Sequence, residues 1–322
     1  MKMPSLQPPT ATPDRRPRVL ARLASVAAAL VVGLGVASGV LYSSSSAAGI
    51  ADTKHNLGSG AGPAGRNQVG STDTAGTTGT TGTAEICVFC HTPHGADVNA
   101  PAPLWNKRLG AAGAPAGGGT YTTYDTLQTP SLDGTVAPVG SISMACLSCH
   151  DGTQAMDNII NAPGSGGYDT TGGGNDGRTY TWTGPTANAA GRLSGGVALL
   201  GTDLSNDHPI GIQYCGGGLS AAAGAITGTC KDGDFRQPQV QTINNNQVFW
   251  VDTGGAGKQR TDLPLYQRAT GNLGPLVECA SCHDPHVSAG QAGPTGTGQV
   301  AGETFLRISN ASSAVCTSCH VK

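Results

Sequence analysis

The apolar residues of this chain are concentrated near its amino terminus. Residues 23–42 form an uncharged run rich in Ala, Val, Leu and Gly, and a basic segment precedes it. A basic segment, an apolar run and small residues before a cleavage site are typical of a secretory signal peptide. We expect residues 1–48 to be that signal peptide, with cleavage after Ala48, although an apolar run of this length could also be retained as a membrane anchor. The basic residues are Arg15, Arg16, Arg18 and Arg22.

The rest of the chain has little hydrophobic periodicity. Residues 57–84 and 109–120 are rich in Gly, Thr and Ala and predict loops. Strand-like runs occur at 179–183 and 247–251. Glycine accounts for 50 of 322 residues and aromatic residues for only 4%, which is too little bulky side chain for a conventional core. We therefore expect mostly coil, with short helical turns and few strands.

Four Cys-x-x-Cys-His motifs account for eight of the ten cysteines. In this motif the two thiols attach a haem through thioether bonds, and the histidine binds its iron. Two zinc sites of four thiolates each are the alternative, but they would leave four adjacent histidines without a role. The motifs predict a multihaem cytochrome c with four covalently bound haem c groups. Motifs one to four comprise Cys87, Cys90 and His91; Cys146, Cys149 and His150; Cys279, Cys282 and His283; and Cys316, Cys319 and His320.

The number of histidines matches the number of axial positions. Eight histidines are present, four of them in the motifs, and four six-coordinate irons need four further ligands. Methionine is an alternative ligand, but only Met144 and Met156 lie beyond the leader, and Met144 lies too close to its own attachment motif. We therefore expect two histidine ligands at every iron. The predicted distal ligands are His55, His94, His208 and His286.

Motifs one and three each continue to a further histidine after three residues, at His94 and His286. Residues three apart on a helical turn lie on the same face, about 5–6 Å apart. A histidine so close to the proximal ligand cannot reach the opposite side of the same iron. We expect each of these histidines to bind the iron of a different haem, which would hold two haems close together.

We predict a single tetrahaem domain at 49–322, in which the polypeptide wraps around a chain of haems. Residues 161–270 contain no attachment motif and are expected to be an insert. Cys215 and Cys230 lie in this insert without a following histidine, and we expect them to form a disulfide in an oxidising compartment.

Several stretches resemble one family of cytochromes. The runs 54–57, 87–95, 147–152, 201–209, 277–286 and 305–310 resemble the tetrahaem branch of the paired-CxxCH multihaem cytochromes, and in particular the OmcE-type cytochromes, which form extracellular filaments. The resemblance implies that the chain polymerises head to tail. It also implies the same four distal histidines, one of which could ligate iron across a subunit boundary; His55 and His208 are the expected candidates.

Composition narrows the function further. From Gly49 onward the chain contains 13 basic and 19 acidic residues, which argues against a nucleic-acid partner. We expect an exported electron-transfer protein at the cell surface or outside the cell, self-assembled and served by redox partner proteins, with no membrane span after processing. A monomeric periplasmic carrier serving a reductase or dehydrogenase is the alternative. An enzyme is not expected, because catalysis at haem needs an open coordination position.

The motifs and the leader together make one prediction about mass. We expect the intact mature protein to have the mass of the chain from Gly49 plus four haems. Intact-protein mass spectrometry measures both quantities at once. Fewer than four haems, or a first residue far from Gly49, would contradict these interpretations.

Overall fold

A computed structural model describes nine parts of the chain, all within one unit that runs from Ala47 to Lys322. The predicted signal peptide 1–48, most of 57–84 and all but one residue of 179–183 lie outside the described residues. The described chain is mostly coil with few helices and a few strands, as the sequence predicts. The described residues are 50, 53–58, 83, 85–165, 182, 187–222, 225–268, 274–286 and 305–321.

Each Cys-x-x-Cys-His motif lies on a helical turn. Motif one forms the 3-10 turn Cys87–Phe89, and the others lie on helix α1 (Ser141–His150), helix α2 (Cys279–Cys282) and helix α3 (Ala314–Cys319). In motifs one, three and four the histidine N–H donates to the carbonyl of the first cysteine, at 2.7, 3.0 and 2.9 Å. The expectation of short helical turns at the motifs is therefore confirmed. Further 3-10 turns lie at Tyr124–Leu127, Pro163–Ser165, Tyr214–Gly216 and Ala311–Ser313.

The strands form three small antiparallel sheets. One contains β1 and β7, a second contains β2 and β3, and the third has the order β4-β5-β6. The strands are β1 (Ile212–Gln213), β2 (Ser220–Ala222), β3 (Ala225–Thr227), β4 (Gln239–Ile243), β5 (Asn246–Val251), β6 (Leu263–Leu265) and β7 (Leu276–Val277).

The longest pairing is the hairpin between β4 and β5. Its two loop residues, Asn244 and Asn245, have φ angles of 49° and 63°, as a two-residue type I′ turn requires. Asparagine tolerates this left-handed region better than most residues, so the sequence favours the turn locally. Strand β5 contains the predicted strand 247–251, which is confirmed, and Phe249 is fully buried.

The segment 161–270 is more than a motif-free insert, because six of the seven strands in the described chain lie within it. The predicted disulfide between Cys215 and Cys230 is present, with the two Cα atoms 5.2 Å apart. The Tyr214 hydroxyl donates to the Arg236 carbonyl at 2.8 Å. Both disulfide cysteines pack in one apolar cluster with Cys319 of motif four. The segment therefore supports the last attachment motif.

Buried apolar side chains form four small clusters in the described chain. Three of them contact a motif cysteine directly, namely Cys149, Cys319 and Cys90. The fourth includes Leu147, which lies between the two cysteines of motif two. A chain with so few aromatic residues thus places its apolar contacts around the attachment motifs.

Replacing both disulfide cysteines with alanine should destabilise the protein. The disulfide closes a loop across a sequence separation of 15 residues, and losing such a constraint costs about 3 kcal/mol of unfolding free energy. Denaturant unfolding of Cys215→Ala/Cys230→Ala measures the loss. Wild-type protein unfolded with a reductant is the control and should match the variant; equal stability of all samples would contradict the prediction.

Candidate functional site

A second segment holds motif one through two backbone hydrogen bonds. The Thr92 N–H donates to the Leu104 carbonyl at 2.8 Å, and the Asn106 N–H donates to the Cys90 carbonyl at 2.8 Å. These two bonds make an antiparallel bridge at His91. The bridge fixes the backbone of the histidine relative to its cysteines, since one bond lies on each side of it.

Motifs three and four have the same arrangement, which we call the backbone clamp. In both, the residue after the histidine donates to a second segment and the second cysteine accepts from it. The same two hydrogen bonds flank the histidine in motifs one, three and four. This indicates that each of these motifs needs the same backbone support. The bonds run from Asp284 to Phe305 at 2.8 Å and from Arg307 to Cys282 at 2.8 Å in motif three, and from Val321 to Asp234 at 2.8 Å and from Arg236 to Cys319 at 2.9 Å in motif four.

Backbone carbonyls also orient two of the motif imidazoles. Nδ1 of His91 lies 2.8 Å from the Pro103 carbonyl oxygen, and Nδ1 of His150 lies 2.7 Å from the Ala198 carbonyl oxygen. Because a carbonyl oxygen only accepts, Nδ1 carries the proton in both rings. Nε2 is then the unprotonated nitrogen, which is the one available to a metal.

Two motif histidines face a second imidazole. The ring centroids of His55 and His150 are 6.0 Å apart with the rings at 78°, and those of His91 and His286 are 6.0 Å apart with the rings at 22°. Two metal–nitrogen bonds of about 2.0–2.1 Å, with each ring centre about 1 Å further out, put axial imidazoles roughly 6 Å apart. Both pairs therefore fit opposite sides of one iron. The structure thus brings His286 of the extended motif three next to His91 of motif one.

The pKa of His208 shows that a third histidine outside the motifs lies near a motif histidine. Burial lowers the pKa of His208, the Pro209 carbonyl opposes this, and His320 adds to the lowering. His208 therefore lies within electrostatic range of the motif-four histidine. Its Nδ1 is 3.0 Å from the Pro209 carbonyl oxygen, which leaves Nε2 available. His208 is therefore the histidine outside the motifs that lies within electrostatic range of motif four.

The remaining predicted ligands are His94 and His283. The His94 side chain is exposed, and no imidazole among the described residues stacks against it. His283 forms an isolated antiparallel bridge with Leu306, which belongs to the clamp of motif three. His283 also lies within electrostatic range of His55, because it contributes to the lowered pKa of that histidine.

Burial sets the charge of the central ligands. Burial and then the neighbouring His150 lower the pKa of His55 to about 4, and burial lowers that of His150. Both rings are thus neutral near pH 7, as metal ligation requires. Nδ1 of His55 is buried with no hydrogen-bond partner, while its ring stacks on Phe305 with centroids 4.1 Å apart.

His286 differs from His94 in its neighbours. Asp284 lies two residues before it, with Oδ1 3.4 Å from Nδ1 of the ring, and this carboxylate is the main cause of the raised pKa of His286. The other carboxylate oxygen lies 3.6 Å from Nε of Arg260 and 3.5 Å from Nη1 of Arg307. A carboxylate behind an imidazole fixes the ring orientation and increases its basicity as a ligand. Motif one has Thr92 at the equivalent position.

The attachment thiols follow one another through space in sequence order. Burial raises the pKa of Cys90 to about 12, and Cys149 of motif two adds to the rise. Cys146 and Cys279 share a side-chain hydrogen bond, which is the main cause of the raised pKa of Cys146 and of the lowered pKa of Cys279. Burial and then Cys279 raise the pKa of Cys282 to about 11, with Cys316 of motif four adding to it. Motifs one to four therefore form a continuous series.

The geometry suits a metal that brings most of its own ligands. Among the described residues, which include every Cys and His of the chain, no group of three or more Cys, His, Asp or Glu side chains could hold a bare ion. Structural zinc needs four such ligands. Two opposed imidazoles with two nearby thiols instead fit a haem, since a porphyrin supplies four ligands and the thiols attach it.

The sequence predicts which histidines could be ligands, but not the segments that contact them. The clamp residues around 104–106, 234–236 and 305–307 carry no motif of their own. Asp284 lies inside the extended motif three and could have been singled out as a carboxylate next to a ligand. The Pro103 and Ala198 carbonyls leave no signal in the sequence, because any residue can supply a carbonyl.

No protein-family model matches the chain, and no curated protein is significantly similar to it. Within the described residues no helix is long and apolar enough to cross a membrane.

The facing pair His91 and His286 yields a test of the ligand assignment. His286→Ala should make one haem high-spin, and that haem should be the one attached at Cys87 and Cys90. Visible and electron paramagnetic resonance spectra measure the high-spin fraction, which should be about one quarter of the haem.

The same substitution in a variant that lacks the first haem attachment site identifies the affected haem. Adding His286→Ala to the attachment-deficient variant Cys87→Ala/Cys90→Ala should give no further high-spin signal, because the affected haem is already absent. His94→Ala is the matched control and should add a high-spin signal in that background. An additive effect of His286→Ala would refute the pairing with His91.

Proposed function

We propose that this chain is an exported electron-transfer protein with four haems, each held between two histidines. The eight motif cysteines would attach the haems, and the motif histidines would bind the irons from one side. When bound, each haem iron accepts and releases one electron. The observation that carries this proposal is the presence of two facing imidazole pairs with centroids 6.0 Å apart, each formed by a motif histidine and one of the four histidines outside the motifs.

The ligand set favours electron transfer over catalysis. Two imidazoles at one iron would leave no position for a substrate. The clamp hydrogen bonds and the carbonyls behind His91 and His150 fix the rings, so little reorganisation is needed when the charge of the site changes. The role of these residues is therefore to hold the iron ligands still.

A buried polar network fixes motifs two and three relative to each other. The Ser143 hydroxyl of α1 donates to Oε2 of Glu278 at 2.5 Å, and the Cys279 N–H of α2 donates to the same hydroxyl at 3.0 Å. Nη2 of Arg268 lies 2.6 Å from Oε1 of Glu278. A fully bonded buried ion pair of this kind is costly to break, because either charge alone would be left unpaired. The network thus keeps the two motifs at a fixed spacing, as electron transfer between neighbouring haems requires.

The two ends of the motif series support assembly into a filament. Val98 and Leu104 near motif one are 91% and 54% exposed, and Val321 next to motif four is 50% exposed. Apolar side chains at both ends could pack against each other between successive copies. A contact that joins one end to the other repeats without closing and yields a filament. We therefore place the protein outside the cell or at its surface, with copies of itself as partners.

A monomeric periplasmic carrier is the second candidate. His55, one of the two expected candidates for ligation across a subunit boundary, faces His150 of its own chain. His208 lies near His320 of its own chain. Two imidazole pairs within one copy, and His208 within electrostatic range of His320, support a monomer that needs no ligand from another copy.

Redox titration tests the proposed function itself. The purified protein should take up four electrons per chain, with a low-spin visible spectrum in both oxidation states. Optical titration in an electrochemical cell counts the electrons. A spectrum without haem bands, or a stable high-spin fraction in the wild type, would contradict the proposal.

Electron microscopy separates the filament from the monomer. The wild-type protein should form filaments, and Val98→Asp/Val321→Asp should prevent them because it puts charges at both ends of the motif series. Val197→Asp is the matched control, since Val197 is 92% exposed but belongs to neither end. Single particles of wild-type protein at every concentration would favour the periplasmic carrier.

A further inference from the structure

Lys107 places its ammonium group in the interior of the described chain. Its side chain is fully buried, with a relative exposure of 0%. Nζ donates to the carbonyl oxygens of Ala155 at 2.8 Å and Asn158 at 3.2 Å. None of the ion pairs among the described residues includes Lys107. A positive charge is therefore buried against neutral partners alone.

Such a charge is costly to bury without a carboxylate. Backbone carbonyls offset only part of the desolvation of an ammonium, so full burial of the charge remains unfavourable. The neighbouring cation shows the usual solution: Arg108 is 33% exposed and lies 3.4 Å from Oδ1 of Asp97. Arg108 is paired with a carboxylate and partly exposed, whereas Lys107 is fully buried among carbonyls. This contrast points to a role for the charge of Lys107.

Lys107 lies between motifs one and two. The preceding residue, Asn106, donates from its side chain to the carbonyl of Val88 inside motif one, at 2.6 Å. Ala155 and Asn158 belong to the loop that follows motif two. Lys107 opposes the burial that raises the pKa of Cys90, so the ammonium lies within electrostatic range of that attachment thiol.

We propose that Lys107 is a buried positive charge that raises the reduction potential of the haem attached at Cys87 and Cys90. The inference rests on the proposed function, since it concerns one of the four haems. An iron site carries one more positive charge when oxidised than when reduced. A fixed cation nearby disfavours the oxidised form, and the effect is strong where burial keeps solvent from screening it. Lys107 thus makes the first haem of the series the one that holds its electron more tightly.

Charge and hydrogen bonding can be separated by substitution. Lys107→Gln removes the charge but keeps a donor for the two carbonyls, and Lys107→Met removes both. Asn158→Asp keeps the lysine and puts a carboxylate beside it, at a side chain whose Oδ1 is buried without a hydrogen-bond partner. All three changes should move the same one-electron component to lower potential. Arg108→Gln is the matched control, and its shift should be much smaller because that charge is paired and partly solvated.

The measurement is a redox titration of each variant, with haem content and spin state recorded on the same sample. His286→Met marks the component of the first haem, because methionine ligation raises the potential of the iron it binds. The proposal is supported if Lys107→Gln and Asn158→Asp both lower that component while four low-spin haems remain. It is overturned if Lys107→Gln leaves every component unchanged, or if only Lys107→Met shifts one, since the lysine then acts through its hydrogen bonds. Absence of haem from the wild-type protein would instead refute the proposed function.

Discussion

The backbone clamp is the interaction on which the rest of the candidate site depends. A Cys-x-x-Cys-His turn is too short to hold its own shape, because one helical turn contributes a single internal hydrogen bond. In motifs one, three and four, two bonds from a second segment fix the turn on both sides of the histidine. These bonds come from backbone atoms, so they tolerate almost any sequence. They explain how a glycine-rich chain with little periodicity can place three of the four motif histidines in defined positions.

Buried polar groups fix the arrangement of the motifs in this chain, a role that bulky apolar side chains have in most proteins of this length. Asn106, Lys107 and Glu278 are all buried, and each is held by hydrogen bonds or an ion pair that connects one motif to the next. Such networks specify a unique arrangement more strictly than apolar contact, because an unpaired partner is costly. The apolar clusters remain small and lie beside the motif cysteines.

The sequence predicts features that depend on neighbouring residues or on residue type. It does not predict features that depend on contacts between residues far apart in the chain. The helical turns at the motifs, the disulfide and strand β5 follow from spacing, cysteine count and β-branched or aromatic residues, and the structure contains all three. Five of the six strands within 161–270 were not predicted, because four of these five are only two or three residues long, too short to show alternation. The clamp segments and the environment of Lys107 could not be predicted, since they depend on hydrogen bonds to backbone atoms of residues far apart in sequence, 87 positions in the case of Val321 and Asp234.

The pairing of His91 with His286 joins a residue that is synthesised early with one that is synthesised late. Ribosomes make proteins from the amino terminus, so motif one exists long before residue 286 has been added. On the proposed assignment, the first haem to be attached is among the last to receive its second histidine. Completion of the earliest site would therefore report that nearly the whole chain has been made and folded.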